Sequence, residues 1–345
     1  MARKRLFRVV FALVGCLSLT AGCDEKSGAE ATPKASASAA VTDVNLAGVD
    51  TSTLTPREKR EWSAEVSELL APCPDTPVSI AQCVKENRAC KTCKPAAELL
   101  LQQVQAGRSK KDREDAFHAR FDKDKVKNIP LDGDPSVGPD DAPETLVEWA
   151  DFECPFCKMM APILDDVVHH FPGQVRLVYR FYPLQAHPHG EIAARAAIAA
   201  QNQGKFWEMH HLLFENQEHL EPQDLEQYAK SLHLDVAKWK ADLVSKETGE
   251  RIDKDKKVAD DLGLDGTPFL FANGRYVDLH LLVNPYTDLL DWVKLDIQLA
   301  GKTPNVAPSG SAAAGAPPAP SGSASAEPAA SASAAAGAPH KPKKK

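Results

Sequence analysis

Two cysteines separated by two residues, Cys154 and Cys157, stand where an apolar run (residues 146–152) meets a helical pattern. At such a strand–helix junction the first sulfur lies beside the unpaired amide groups of the helix N-terminus. Their partial positive charge favours the thiolate and lowers the cysteine pKa. Cys154 is therefore the predicted nucleophile, and Cys157, one turn into the helix, is placed to attack a mixed disulfide. Pro155 costs little there, because the first helical N–H has no partner. The pattern indicates thiol–disulfide exchange.

The alternative chemistry for this pair is half of a zinc site. Zinc would need two more ligands at suitable spacing, usually a second C-x-x-C or a histidine pair. Separately, His187 and His189 invite a metal interpretation of their own, but no third ligand stands near them, and they are interpreted as a capped turn before the next helix. The strand–helix context favours redox chemistry, with no metal and no cofactor beyond the cysteines.

The N-terminus has the composition of an export signal. A basic start precedes an apolar run over residues 9–21. This run is too short to cross a bilayer, since a membrane-spanning helix needs ~20 residues. The residues before Cys23 resemble a bacterial lipobox, which predicts cleavage after residue 22 and lipidation of Cys23. Thr20 departs from that pattern, where a larger aliphatic residue is usual. The residues before Cys16 fit the lipobox pattern better, but cleavage there would leave a very short apolar core in the signal peptide. The other alternative is a secretory signal without lipidation.

Charge and cysteine usage narrow the class of partner. Removing residues 1–22 takes away four of the 41 basic residues and none of the 48 acidic ones, which leaves a net charge of −11. Such a surface disfavours nucleic acid as a partner. Six cysteines remain beyond the leader and Cys23, and an exported chain is free to pair them as disulfides.

Composition divides the mature chain into four parts. Residues 23–54 are Ala/Ser/Thr/Gly-rich and are predicted to be a flexible tether, and the Ala/Pro/Ser-rich residues 302–345 are predicted to be a disordered tail. Residues 55–125 show helical periodicity and are predicted to be a small helical, cysteine-containing region. Residues 126–301 form the larger α/β domain.

Four cysteines punctuate the small helical region: Cys73, Cys83, Cys90 and Cys93. About seventy residues bury little core, so two structural disulfides are expected, and the sequence leaves all three pairings open. A four-cysteine zinc site is the alternative, whereas the lack of a histidine after Cys93 disfavours c-type haem. Residues 62–125 faintly resemble the helical hairpin of CcmH, a cytochrome c maturation thiol protein. Thr76 stands where that family's second cysteine should follow Cys73.

The order of elements in residues 126–301 is βαβ, then a helical insertion, then ββα. Strands are predicted over 144–152 and 175–182, a helix over 161–171, and only helices over 189–264. Asn273-Gly274 between apolar runs indicates a hairpin, and a last helix is predicted to be capped near Thr287. Residues 140–300 resemble the thioredoxin superfamily, specifically its DsbA-like exported oxidoreductases. The resemblance implies an α/β thioredoxin fold with an inserted all-helical subdomain.

The resemblance also implies roles for individual residues. Cys154 matches the nucleophile and Cys157 the resolving cysteine. Thr267-Pro268 matches a loop whose cis-proline faces the sulfurs, and Glu148 matches a buried carboxylate that assists proton transfer. Thr267, Pro155 and Phe156 are expected to contact substrate or tune the site.

Each of the last two assignments has a plainer alternative. Pro268 could be an ordinary strand-start proline, and Glu148 could be a strand-edge carboxylate in water. Arg180, on the neighbouring predicted strand, is a candidate ion-pair partner for Glu148.

The sequence thus predicts a lipid-anchored thiol–disulfide oxidoreductase on the periplasmic side of the cell envelope. Its expected partners are exported proteins with thiols or disulfides and a membrane redox protein. Oxidase, isomerase and reductase roles all stay open. The alternative is a binding module, in which a thioredoxin fold holds peptides as a chaperone or assembly factor.

Overall fold

Capping residues set the boundaries of the first helices. In the computed structural model, which describes residues 43–307, Thr55 and Glu58 form a reciprocal capping box at the start of helix α1. Ser79 and Ser109 cap α2 and α4 through their hydroxyl groups. These helices are α1 (Pro56–Glu68), α2 (Ile80–Lys85), α3 (Cys93–Gln105) and α4 (Lys110–Phe121). A short 3₁₀ turn, Lys123–Lys125, follows them.

The four helices enclose a small core of their own. Trp62, Leu100 and Phe117 are its large members, and the Trp62 indole donates to the carbonyl of Ala97 at 2.9 Å. Residues 43–54, predicted to be part of a tether, pack onto this core through Val44, Leu46 and Val49. Three apolar residues in that segment are enough to bury it, so the packed region begins before residue 55. The predicted signal peptide and Cys23 lie outside the described residues.

A five-stranded mixed sheet follows in the chain. Its strands are β1 (Ser136–Val137), β2 (Glu144–Ala150), β3 (Val175–Phe181), β4 (Phe269–Ala272) and β5 (Arg275–Val277), in the spatial order β1-β3-β2-β4-β5. Strands β2 and β3 pair in parallel, and every other pair is antiparallel. Helix α5 (Pro155–His170) connects β2 to β3, as the βαβ pattern predicts. The short edge strand β1 was not predicted.

A tight turn joins β4 to β5. Asn273 and Gly274 both have positive φ values, 47° and 76°, as a two-residue hairpin turn of this kind requires. A Cβ at position 274 would collide with the carbonyl oxygen of Lys127, so glycine is also required there for space.

The insertion between β3 and β4 is entirely helical, as predicted. It consists of α6 (Gly190–Gln201), α7 (Phe206–Glu215), α8 (Pro222–Ser231), α9 (Val236–Leu243) and α10 (Lys246–Leu262). Alanines of α6 form the centre of its core, which is continuous with Phe152 and Tyr179 at one end of the sheet. The insertion therefore packs directly onto the strand end that precedes Cys154.

Arg180 lies on the opposite face of the sheet from Glu148. Its guanidinium binds Asp134 at 2.6 Å and lies 3.4 Å from Asp255, and all three side chains are fully buried. The suggested Arg180–Glu148 pair is therefore wrong. Side chains alternate along a strand, and the residue in register with Glu148 is Tyr179.

The last helix, α11 (Pro285–Leu299), is capped by Asn284, whose side chain accepts from the Thr287 amide. It joins the sheet domain to the four-helix core: Arg120 Nη2 lies 2.8 Å from Asp296 Oδ1, and its guanidinium stacks 4.1 Å above the Trp292 ring. Residues 302–307, predicted to belong to the disordered tail, are anchored, for example by the Ala307 amide bonding to His170. Within the described range, no helix is both long and apolar enough to cross a membrane.

Candidate active site

Cys154 is the residue that caps helix α5. Its backbone is extended, at φ −77° and ψ 121°, and Pro155 occupies the first helical position. The segment is held by the Cys154 amide bonding to Asp151 and by the Cys154 carbonyl accepting from Lys158 at 3.1 Å. The cap leaves no side-chain acceptor for the free amides of the first turn. They are therefore available to the Cys154 sulfur.

Several donors stabilise the thiolate of Cys154. The largest effect is a hydrogen bond from the Cys157 thiol, followed by those from the Thr267 side chain and the amides of Cys157 and Phe156. Together they outweigh burial and lower the pKa of Cys154 to about 5. Cys154 is thus ionised at neutral pH, the form that acts as a nucleophile.

Cys157 has the opposite environment. Its side chain is fully buried. Burial, the hydrogen bond that the thiol donates to Cys154 and the nearby Glu148 all raise the pKa of Cys157 well above its ordinary value, so the thiol stays protonated. Both sulfurs are unbonded in this structure. The two cysteines therefore differ in the way that exchange requires: Cys154, with 3% of its surface exposed, is a thiolate at neutral pH, and Cys157 is a protonated thiol.

The loop before β4 closes over the sulfur of Cys154. The Thr267–Pro268 peptide bond is cis. The Thr267 carbonyl oxygen lies 3.4 Å from Cys154 Sγ, as the acceptor of the thiol form. Among residues 43–307, the buried Thr267 hydroxyl has no hydrogen-bond partner. It is therefore free to donate to the Cys154 thiolate, which lowers the pKa of Cys154.

Glu148 is buried beneath the cysteines, with 2% of its surface exposed. Burial is the main cause that raises its pKa to about 8, with smaller effects from Asp165 and Cys154. Tyr179 is its register partner on β3 and is equally buried. In the described part of the chain, neither Glu148 Oε1 nor the Tyr179 hydroxyl has a partner. Glu148 is thus a neutral carboxyl near pH 7, able to give or take a proton.

A residue of the insertion, Gln217, holds the active-site segment from the other side. Its Nε2 donates to the carbonyls of both Phe152 and Cys154, each at 2.8 Å. Lys158 also reaches the same part of the insertion, 3.5 Å from the Glu215 carbonyl. This contact could not be predicted from the sequence, because Gln217 lies in a turn between two helices with no motif around it.

Aromatic packing fixes the floor of the site. Phe152 stacks on Tyr179 at 5.2 Å and contacts Phe214 at 4.9 Å. His210 stands among these rings with 2% exposure, and burial lowers its pKa to about 3. His210 is therefore a neutral core residue.

Charged groups surround the turn that precedes Cys154. Asp151 is buried and accepts from the Glu153 and Leu184 amides, and its Oδ2 lies 2.6 Å from His187 Nδ1. His189 is the N-cap of α6, and its backbone amide donates to the Glu153 carboxylate at 2.6 Å. The two histidines thus form the turn that the sequence predicted and fasten it to the cysteine segment.

The outer surface beside Cys154 is apolar. Phe156 and Met159, on the first turn of α5, expose 62% and 56% of their surface. Pro155 lies next to them and is also exposed. The predicted substrate-contacting residues Pro155, Phe156 and Thr267 therefore lie around one sulfur.

The four cysteines of the helical region are paired. Disulfides join Cys73 to Cys90 and Cys83 to Cys93, which selects one of the three pairings left open. In this state their sulfurs are not free to bind zinc.

Residues 131–291 match a protein-family model described as Thioredoxin, a little under half of the chain. The strand order, the helical insertion and the C-x-x-C at the start of α5 agree with this match. Residues 131–291 have the thioredoxin fold. The predicted DsbA-like arrangement of a thioredoxin fold with inserted helices is confirmed.

Curated relatives match less than half of the chain. The Na(+)/H(+) antiporter NhaA 3 of Salinispora tropica is 43% identical over 150 residues, which is 43% of this chain and 23% of the antiporter. The antiporter NhaA of Herminiimonas arsenicoxydans is 41% identical over 160 residues, or 25% of its length. The match therefore spans about a quarter of the length of these relatives.

Solved structures align with about half of the chain. BdbD from Bacillus subtilis aligns with a TM-score of 0.46 and 23% identity, covering 50% of this chain and 97% of BdbD. A thioredoxin-like oxidoreductase from Silicibacter pomeroyi aligns with a TM-score of 0.44 and 27% identity, covering 51% and 98%.

Proposed function

We propose that this protein is a thiol–disulfide oxidoreductase that exchanges disulfides with protein substrates through Cys154 and Cys157. The observation that carries the proposal is the contrast between the two sulfurs. Cys154 has a pKa of about 5, whereas burial raises the pKa of Cys157 well above its ordinary value. If the two thiols had the same pKa, nothing would determine which sulfur attacks the substrate and which one resolves the mixed disulfide.

In the exchange, a substrate thiolate attacks Cys154 of the oxidised pair and forms a mixed disulfide, and the Cys157 thiolate leaves. A second substrate thiolate then attacks its own sulfur in that bond. The substrate leaves as a disulfide, and Cys154 departs as a stabilised thiolate. Cys157 takes up a proton, for which the neutral Glu148 carboxyl is a source. The reverse sequence reduces a substrate disulfide.

The low pKa of Cys154 favours one direction. Stabilising the thiolate stabilises the reduced pair, and a stable reduced form makes the disulfide a stronger oxidant. The proposed role is therefore that of a disulfide donor.

The place of action belongs to the proposal as well. A lipid anchor at Cys23, on the periplasmic side of the cell envelope, would bring the site to exported proteins and to a membrane redox partner. Labelling with a radioactive fatty acid tests it. Wild type incorporates the label, Cys23→Ala does not, and Cys16→Ala behaves as wild type.

A trapping experiment tests the exchange itself. In Cys157→Ala, Cys154 can still attack a client disulfide, but the resulting mixed disulfide has no Cys157 thiol to resolve it, so covalent complexes with client proteins accumulate on non-reducing gels and vanish on reduction. Cys154→Ala is the matched control and should trap nothing. A Cys157→Ala protein that alkylates readily at Cys154 yet traps no client would contradict the proposal. It would favour the alternative binding module.

A further inference from the structure

The two disulfides of the helical region lie in direct contact with each other. The sulfurs of Cys83, Cys90 and Cys93 are all within 4.8 Å of one another, although Cys90 is bonded to Cys73 and Cys93 to Cys83. All three are buried, and Cys73 is the partly exposed member of the cluster. A sulfur released from one disulfide would therefore lie beside the other.

Cys90 and Cys93 are also close along the backbone. The Cys93 amide donates to the Cys90 carbonyl at 3.3 Å, which makes Cys90–Cys93 a turn. The ends of such a turn are within about 7 Å, close to the ~4.4–6.8 Å between Cα atoms that a disulfide spans. A direct Cys90–Cys93 bond is thus within reach of small movements.

The surroundings of Cys90 suit a departing thiolate. Thr92 is the N-cap of α3, yet its hydroxyl makes no capping hydrogen bond. The hydroxyl instead lies 3.1 Å from Cys90 Sγ and 3.5 Å from Cys73 Sγ. It can donate to Cys90 once that sulfur carries charge, beside the positive end of a 13-residue helix.

We propose that these four cysteines are a second exchange site. In it, the native disulfides Cys73–Cys90 and Cys83–Cys93 rearrange on partial reduction, and Cys90 and Cys93 become a disulfide-bonded C-x-x-C pair. A thiolate of an external dithiol attacks Cys73, forms a mixed disulfide with it and releases Cys90 as a thiolate. Cys90 attacks Cys93, which forms the Cys90–Cys93 disulfide and releases Cys83 as a thiolate that takes up a proton. The second thiolate of the dithiol then attacks its own sulfur in the mixed disulfide and frees Cys73.

These reaction steps balance without another oxidant. Two protein disulfides and one dithiol become one protein disulfide, two protein thiols and one oxidised dithiol. This site is separate from Cys154–Cys157 and does not depend on the function proposed for that pair. Its substrate is a dithiol small or flexible enough to reach Cys73.

Disulfide mapping after limited reduction tests the proposal. The Cys154→Ser/Cys157→Ser double variant confines the reaction to the cluster, and one equivalent of dithiothreitol is added before free thiols are alkylated. Trypsin cuts after Lys91 and separates Cys90 from Cys93. The expected main product has Cys90 linked to Cys93, with Cys73 and Cys83 alkylated. A product that keeps either native disulfide, or loss of both together, would overturn the proposal.

Two single replacements in the same background start the exchange without reductant. In Cys73→Ser the Cys90 thiol is unpaired, and in Cys83→Ser the Cys93 thiol is unpaired. Both proteins should contain the Cys90–Cys93 disulfide, with Cys83 alkylated in the first and Cys73 in the second. Retention of the remaining native disulfide in both would refute the exchange.

Thr92 provides a kinetic control. Thr92→Val should slow formation of the Cys90–Cys93 disulfide about tenfold, since a hydrogen bond to a charged group is lost, whereas Thr92→Ser keeps the hydroxyl and the rate. Equal rates in the two variants would remove Thr92 from the mechanism.

Discussion

The Gln217 side chain bridges the carbonyls of Phe152 and Cys154, each at 2.8 Å, and so ties the helical insertion to the backbone of the nucleophile. Cys154 caps α5, and its carbonyl already accepts from Lys158. The amide of Gln217 therefore fixes the angle at which the cysteine enters the helix. The insertion is part of the machinery that positions the sulfur.

Removing this bridge should impair exchange more than folding. We expect Gln217→Leu to slow alkylation of reduced Cys154 by iodoacetamide at neutral pH about tenfold, because the sulfur loses its fixed place beside the helix amides, while stability falls by only about 1 kcal/mol. Gln201→Leu is the matched control, since Gln201 also donates to a carbonyl, that of Gly133, but away from the site. Equal alkylation rates in both variants would show that Gln217 has no positioning role.

The bond from Cys157 is the largest cause of the low Cys154 pKa. Absorbance of the thiolate at 240 nm, followed against pH in the reduced protein, should show Cys154 titrating near pH 5. In Cys157→Ala the midpoint should move upward, since the donor is lost. Cys157→Ser keeps a hydroxyl donor, and its midpoint should lie between the other two. A midpoint unchanged in Cys157→Ala would contradict this assignment.

The Thr267 hydroxyl is the next donor to the thiolate. Thr267→Val has nearly the same shape without the hydroxyl, so the pKa of Cys154 should rise, whereas Thr267→Ser should leave it near the wild-type value. The pH dependence of Cys154 alkylation measures both. If valine and serine gave the same profile, the hydroxyl would have no part in thiolate stabilisation.

Glu148 should make stability depend on pH. Between about 4.5, its ordinary pKa, and about 8, the folded protein holds a proton that the unfolded chain has lost. The free energy of unfolding therefore falls as pH rises through this window. Each pKa unit corresponds to about 1.4 kcal/mol, so the total is about 4 to 5 kcal/mol.

Cys154 titrates with the opposite sign, because its pKa is lowered from 9.0 to about 5, and stability gained above pH 5 masks the effect of Glu148. Glu148→Gln should therefore be compared in a Cys154→Ala background by urea denaturation at pH 5 and pH 8. The glutamine protein should lose less stability between these two values. Parallel pH profiles would mean that Glu148 is ionised at neutral pH.

Local sequence signals predicted most of the fold. The apolar run before Cys154, the Asn273-Gly274 turn and the helical periodicity of the insertion each depend on a few neighbouring residues, and the structure has them as expected. The resemblance carried by the cysteines and Thr267-Pro268 added the global arrangement. Helix ends were less exact: α11 is capped by Asn284, three residues before Thr287.

Contacts between distant parts of the chain could not be predicted in the same way. Arg180 was assigned to Glu148 because the register of β3 against β2 was unknown, and a shift of one residue moves a side chain to the other face. The disulfide pairing depends on how α2 packs against α3, and Gln217 reaches the site only through the fold of the insertion. None of these contacts leaves a local pattern.

We propose that Cys154 and Cys157 are a redox pair whose reduced form is stabilised by the Cys154 thiolate. Equilibration of the purified protein in glutathione buffers, with alkylation of the thiols and mass spectrometry, gives its reduction potential directly. We expect full exchange and a potential between about −120 and −200 mV, on the oxidising side of the roughly −270 mV of thioredoxin. A potential at or below the thioredoxin value, or no exchange at all, would contradict it.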